Sequence, residues 1–355
     1  MNKTLLTLCL AVLSQVASGQ LDFSKVNTIE HPLLTKMDSA ITAGQYGSIT
    51  SVVFAKDGNV IFEKYYNDKN IDSKHNTRSV TKTMGSILTG IAIKEGKIGS
   101  EKDKIFDYLK DELPVAHPNP RKMEITLEDL LTMSSCLECN DFNSFSRGHE
   151  ERMYIIEDWT KFFLDLPVRS YPFEPKPEDQ PYGRAFSYCS AGAALTAEIL
   201  QRAVGQKLDA FAAEHLFDPL GIEDYTLHYS PEGTLNTAGG SEYRSRDLLK
   251  LIQMCLNDGQ WNGKEILSKD WIQKASTPKA RVQDGFEYGY FFWLHAFGGE
   301  KKYAAFYMSG NGGQKILAMP ELKLTAVITT TNYGMRQAHP YTNDLMDMYI
   351  VPAME

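Results

Sequence analysis

Ser79-Val80-Thr81-Lys82-Thr83-Met84-Gly85-Ser86-Ile87-Leu88-Thr89-Gly90-Ile91-Ala92-Ile93-Lys94-Glu95-Gly96 is the stretch on which the architecture turns. Val80, Met84, Ile87, Leu88 and Ile91 recur at helical spacing on one face, and Gly96 is placed to end the helix. Such a helix is expected to be buried. Just before it, Ser48 to Tyr66 alternates as strands do, turns at Asp57-Gly58 and resumes at Val60-Ile61-Phe62, which is a hairpin signal. At the far end of the chain, strands are expected near Tyr288 to Ala296, Tyr303 to Met308, Gln314 to Met319 and Leu324 to Thr330.

Between these strand regions, residues 123 to 217 read as helix and loop. Thr126 to Asp129 resembles a capping box, and an alanine-rich helix is expected from about Ser190 to Ala203. Pro167, Pro172, Pro175, Pro177 and Pro181 punctuate a long loop there. Helices are also expected at Arg246 to Leu256 and after a cap at Ser268. The pattern predicts an α/β fold of the α+β type, with one antiparallel sheet built from both ends of the chain and flanked by helices. Residues 20–122 and 218–355 would form that unit, residues 123–217 an inserted all-α domain, and the active cleft would lie between them.

The chain has 355 residues, of which 43% are hydrophobic and 23% charged, enough apolar material for a large core and too little charge for disorder. Its net charge of -8 without a long basic run argues against nucleic acid or an anionic membrane surface as partner. Residues 1–19 read as a signal peptide: Lys3, an apolar run from Leu5 to Val16, then Ala17-Ser18-Gly19, with cleavage expected after Gly19. Leu8 before Cys9 argues against a lipid anchor, so an exported protein, periplasmic or extracellular, is expected.

Three short elements could carry chemistry. Ser79-Val80-Thr81-Lys82 places a hydroxyl and an amine one turn apart at a helix start. Ser276-Thr277-Pro278-Lys279 matches the same pattern, but Pro278 and a polar context disfavour a helix there. If Ser79 were only an N-cap, Lys82 would stand as an unfavourable cation at the positive end of the helix dipole. Tyr188-Cys189-Ser190 precedes the alanine-rich helix, and Ser309-Gly310-Asn311-Gly312-Gly313-Gln314 lies between two expected strands, where glycines allow a backbone to approach a ligand.

In this order, these elements resemble those of the class C β-lactamase family of serine hydrolases, which includes DD-peptidases, esterases and 6-aminohexanoate-dimer hydrolases. Further similar segments are Leu130-Leu131-Thr132-Met133-Ser134-Ser135, Leu216-Phe217-Asp218-Pro219-Leu220-Gly221-Ile222, Ala238-Gly239-Gly240, Ser245-Arg246-Asp247-Leu248 and Asn257-Asp258-Gly259-Gln260-Trp261-Asn262-Gly263-Lys264. The resemblance spans nearly the whole chain after residue 19. It implies Ser79 as nucleophile, Lys82 and Tyr188 as the base system, and substrate or oxyanion contacts at Ser79, Ser190, Gly310 and Asn311. No metal or organic cofactor is implied, and the expected partner is a small-molecule ester or amide.

Elementary chemistry asks for those roles. A lysine of pKa about 10.4 is neutral in only about one molecule in a thousand near pH 7.4, so burial must lower it before it can take the serine proton. A tyrosine against the same amine can share that proton and pass it to the leaving group.

Relatives carry Lys or His where this chain has Met308, which points to neutral esters or amides over β-lactams and D-alanyl peptides. Ser190 replaces the more common asparagine, and Cys136 stands where relatives read glycine. The resemblance further implies a Cys139–Cys189 disulfide, with Cys136–Cys189 as the competing pair and free thiols as the third possibility. Cys136-x-x-Cys139 as a redox pair or half a zinc site is weaker, because no second pair follows. His149-Glu150 lacks a second histidine at zincin spacing, and His295 and His339 are expected to be surface or core residues.

Overall fold

The computed structural model describes residues 21–24, 26, 28–170 and 175–355. The expected signal peptide and Pro172 lie outside them. Eight antiparallel strands form the main sheet: β1 (Ile49–Lys56), β2 (Asn59–Tyr65), β3 (Ala280–Gln283), β4 (Phe286–Tyr288), β5 (Trp293–Phe297), β6 (Tyr303–Gly310), β7 (Gln314–Met319) and β8 (Leu324–Thr330), in the order β2-β1-β8-β7-β6-β5-β4-β3. The two ends of the chain meet where β1 pairs with β8, with Val53 opposite Val327. The β1–β2 turn is made by Asp57 and Gly58 at φ 51° and 76°, the left-handed pair that a tight hairpin requires.

The principal helices are α1 (Pro32–Thr42), α2 (Val80–Lys94), α3 (Trp159–Leu164), α4 (Ser190–Val204), α5 (Ser245–Leu256) and α6 (Ala338–Leu345). Strand alternation assigns two cores to the two faces of the sheet. Val53 and Ile316 face α2, α5 and the helical segment, while Val52, Phe54 and Leu317 face α1 and the C-terminal helices. α2 is buried on every side from Val80 to Ala92, as its position between sheet and α4 demands. Its threonines avoid leaving buried hydroxyls unpaired: Thr83 donates to the carbonyl of Phe291 (2.6 Å) and Thr89 to that of Gly85 (2.7 Å).

Several local expectations recur in detail. The Thr126–Asp129 capping box is present, Ser268 accepts from the Trp271 amide, and Gly96 adopts φ 68° after α2. Residues 98–221 contribute no strand to the main sheet, and their apolar residues join the same continuous core as α2.

The single strand expected over Tyr288 to Ala296 is instead two, β4 and β5. Gly289 lies so close to the Ala275 carbonyl that a Cβ would come within 1.9 Å, and Phe291 takes φ 55°, turning Tyr290 to Phe292 into the core. A second, three-stranded sheet, Lys74–Asn76 with Glu242–Arg244 and Tyr225–Thr226, has no counterpart in the sequence reading because its strands are two or three residues long. It brings the chain to the start of α2: Thr77 donates from both its amide (3.1 Å) and its hydroxyl (2.8 Å) to the carbonyl of Ser241.

Candidate active site

Arg78 enters α2 at φ 53°, a left-handed conformation uncommon for a residue with a side chain. It is held there by its carbonyl, which accepts from the Thr81 hydroxyl (2.9 Å) and the Gly240 amide (3.2 Å), and by stacking of its guanidinium on Tyr333. Ser79 follows at the helix N-cap but makes no side-chain capping bond. Its Oγ instead accepts from Lys82 Nζ at 3.1 Å, so the N-cap role is unfilled and the hydroxyl faces the amine. Lys82 is fully buried and also donates to the Ala238 carbonyl at 2.5 Å. Burial lowers its pKa, opposed by the negative charges of Asp141 and Glu150.

Tyr188 completes the group. Its ring lies with its centroid 5.0 Å from Lys82 Nζ, and it lines the same pocket as Ser79. Burial raises the phenol's pKa far above the usual tyrosine range, so the resting group is a neutral phenol. Phe142 stacks on its outer face at 5.3 Å and Trp293 packs at 6.0 Å. Cys189, next in the chain, is bonded to Cys139 with Cα atoms 5.3 Å apart, leaving Cys136 and Cys255 unbridged. This is the disulfide the resemblance implied, and it removes Cys139 from any redox or zinc pair with Cys136. Cys136 sits at φ 62°, a left-handed conformation that glycine adopts more readily than a residue with a side chain.

Ser79, Tyr188, Gly310 and Asn311 line one cleft of about 590 Å³. Gly310 is required by contact: a Cβ there would lie 2.1 Å from the Thr77 carbonyl oxygen and 3.2 Å from the Ser79 amide. Ser190 differs from expectation. It is wholly buried, its amide donates to Asp141 (2.7 Å) and its hydroxyl donates to Glu150 (2.9 Å), so it holds two acidic side chains instead of lining the cleft with the other three.

Asp141, Glu150, Phe142 and Lys315 also line the cleft without having been singled out as site residues, and His339, expected to be a surface or core residue, lines it too. Asp141 lies on the loop after the Cys139 half-bridge and Glu150 opens the short helix Glu150–Met153, with no motif to flag either. Met308 is buried in the core on the α2 side, whereas its neighbours Tyr307 and Ser309 line the cleft. Lys315, directly across from Ser309 on β7, brings an amine to the wall of the cleft. The second match, Ser276, donates to the Ile272 carbonyl at the end of a short helix and has no lysine partner among the described residues.

With nucleophile, amine and phenol in one cleft beside a glycine strand, the comparison with known proteins gives the family. A family model described as Beta-lactamase matches residues 39–347. The chain belongs to the beta-lactamase family. That family comprises serine hydrolases, including esterases, amidohydrolases and penicillin-binding-protein-like members. A 6-aminohexanoate-dimer hydrolase of Paenarthrobacter ureafaciens is 22% identical over 219 residues, 61% of this chain and 54% of that protein, so the match spans about half the length of this relative. Among solved structures, a candidate 6-aminohexanoate-dimer hydrolase from Bacillus anthracis superposes with a TM-score of 0.70 at 18% identity, covering 96% of this chain and 88% of the other. A hydrolase with promiscuous acyltransferase activity superposes at 0.68 with 15% identity, over 89% and 97%. Both share the fold.

Proposed function

We propose that this chain is an exported serine hydrolase that cleaves carboxylic esters or amides through an acyl-enzyme on Ser79. The observation that carries the reading is the Lys82 amine 3.1 Å from Ser79 Oγ, with the ring of the neutral Tyr188 phenol 5.0 Å from the same amine. A buried amine whose pKa is lowered loses its proton more readily, and its lone pair then accepts the serine proton as Oγ bonds to the substrate carbonyl carbon. The developing oxyanion would be held by the backbone amides of Ser79 and Asn311, which Gly310 brings close together. Collapse expels the alcohol or amine, which takes a proton through Tyr188. Water then adds to the acyl carbon, gives its proton to the same base system and releases the acid and free Ser79. Export is supported by the Cys139–Cys189 disulfide, which persists in oxidising compartments.

Labelling with a fluorophosphonate and turnover of p-nitrophenyl butyrate test the assignment. Both should be lost in Ser79→Ala. Labelling that persists or maps to Ser276 would overturn it, and stoichiometric labelling of the wild type with no turnover of esters or amides would mark a ligand-binding domain of the same fold.

A further inference from the structure

Lys315 is a buried lysine for which the reaction above has no use. Only 1% of its surface is exposed, and its ammonium lies 4.6 Å from the Tyr307 ring centroid and 5.0 Å from that of Phe297. Among the described residues it has no hydrogen-bond or ion-pair partner. Asp347 is the acid whose charge reaches it, but that carboxylate is occupied by the Gly298 amide (2.7 Å) and Lys302 (3.3 Å). Lys122, equally buried, shows what a structural lysine does: it donates to the carbonyls of Ala116 and Leu164, each at 2.7 Å. A cation buried without such partners destabilises the fold, and its retention inside a cleft calls for a partner from outside.

The surroundings define that partner. Ser309 faces Lys315 across the β6–β7 ladder and lines the cleft one residue before Gly310, so the lysine belongs to the wall that continues from the oxyanion region. Asn343 of α6 lines the same end, and its side-chain Oδ1 is buried with no hydrogen-bond partner, while its amide can present a donor when turned. An ammonium, a hydroxyl and a terminal amide around an open space suit a carboxylate. We propose that Lys315 receives a carboxylate of the substrate, so that the chain prefers esters or amides bearing an anionic group over neutral ones of the same shape. This rests on the reading of the cleft as a hydrolytic site at Ser79. It means that the cation absent from position 308 is supplied from the neighbouring strand, on the opposite face.

The preference should also depend on pH. Burial lowers Lys315 to about 7. The other titratable groups around it are Tyr307 on β6, raised by burial; His295 on β5 and His339 on α6, both lowered by desolvation with Lys315 contributing; and Asp347 in the C-terminal helix. Of these, Lys315 is the group placed to change charge near neutrality, and it carries its charge below that pH and loses it above.

The test uses two matched pairs of esters, one with a carboxylate or its methyl ester on the acyl side and one with the same pair on the leaving group, and reads the ratio of kcat/KM for anionic over neutral. In at least one pair the wild-type ratio should favour the anion at pH 6 and fall about 10-fold or more between pH 6 and 9. Because each ratio is taken at one pH on one enzyme, the titration of Lys82 cancels. Lys315→Met should remove both the preference and its pH dependence, and should raise Tm because a buried unpaired charge is gone. Wild-type ratios near one in both pairs, or a preference that survives in Lys315→Met, would overturn the proposal. Loss of neutral-ester turnover in Ser79→Ala reports on the nucleophile separately, so failure here is distinguishable from failure of the hydrolytic reading.

Discussion

The two ends of the cleft each hold a buried lysine, in opposite circumstances. Lys82 donates to a serine hydroxyl and a backbone carbonyl, and two carboxylates bias its charge. Lys315 rests between aromatic rings with no bond to either strand beside it. Burial lowers the pKa of both, yet the consequences differ because hydrogen bonds fix geometry and desolvation alone does not. An amine that must exchange a proton in a set direction has to be tied in place. One that must accept a charged guest has to be left without a resident partner.

The sharpest break in this comparison comes from the tied end. Lys82→Ala and Tyr188→Phe should each lower the acylation rate about 100-fold or more, while the double variant should lose less than the product of the two, because groups acting as a unit are not additive. Burst kinetics with an activated ester measures this, and fully additive losses would assign the residues separate roles. Next in size is the disulfide beside Tyr188. It closes a sequence separation of 50 residues, for which chain entropy gives on the order of 4 kcal/mol. Cys139→Ser with Cys189→Ser should lower Tm by several degrees, and kcat should fall under mild reduction of the wild type before the protein unfolds. Unchanged kcat after reduction would separate the bridge from the positioning of Tyr188.

The smallest effect concerns the charges around Lys82. Glu150→Gln keeps an acceptor for the Ser190 hydroxyl but removes a charge that raises the pKa of Lys82. The limb of the kcat/KM profile that rises with pH should move to lower pH by roughly half a unit. A limb that stays in place or moves upward would show that Glu150 acts on Ser190 alone.

What the sequence disclosed follows the range of the forces involved. Ser79, Lys82 and Gly96 could be read because helix period, a spacing of three and a terminating glycine act within a few residues. The hairpin at Asp57-Gly58 and the capping box at Thr126 are local for the same reason. The resemblance implies a substrate contact at Ser190, but the direction of its hydroxyl depends on Glu150, 40 residues earlier in the chain. Lys315 carries no signal of its own in the strand expected near Gln314 to Met319, and only its register with Ser309 and its place in the cleft wall bring it to notice. The break between β4 and β5 was hidden because the Ala275 carbonyl that demands a glycine at position 289 comes from a different element.

Gly310 also bears on how such a cleft can drift over evolutionary time. Position 308 packs into the core, where one apolar side chain can be exchanged for another of similar volume at modest cost. Position 310 has no such freedom, because any side chain would push the strand off the Thr77 carbonyl and the Ser79 amide. Substitutions at neighbouring positions can reshape the cleft, while the approach of β6 to the start of α2 stays anchored by the one residue that has no side chain to exchange.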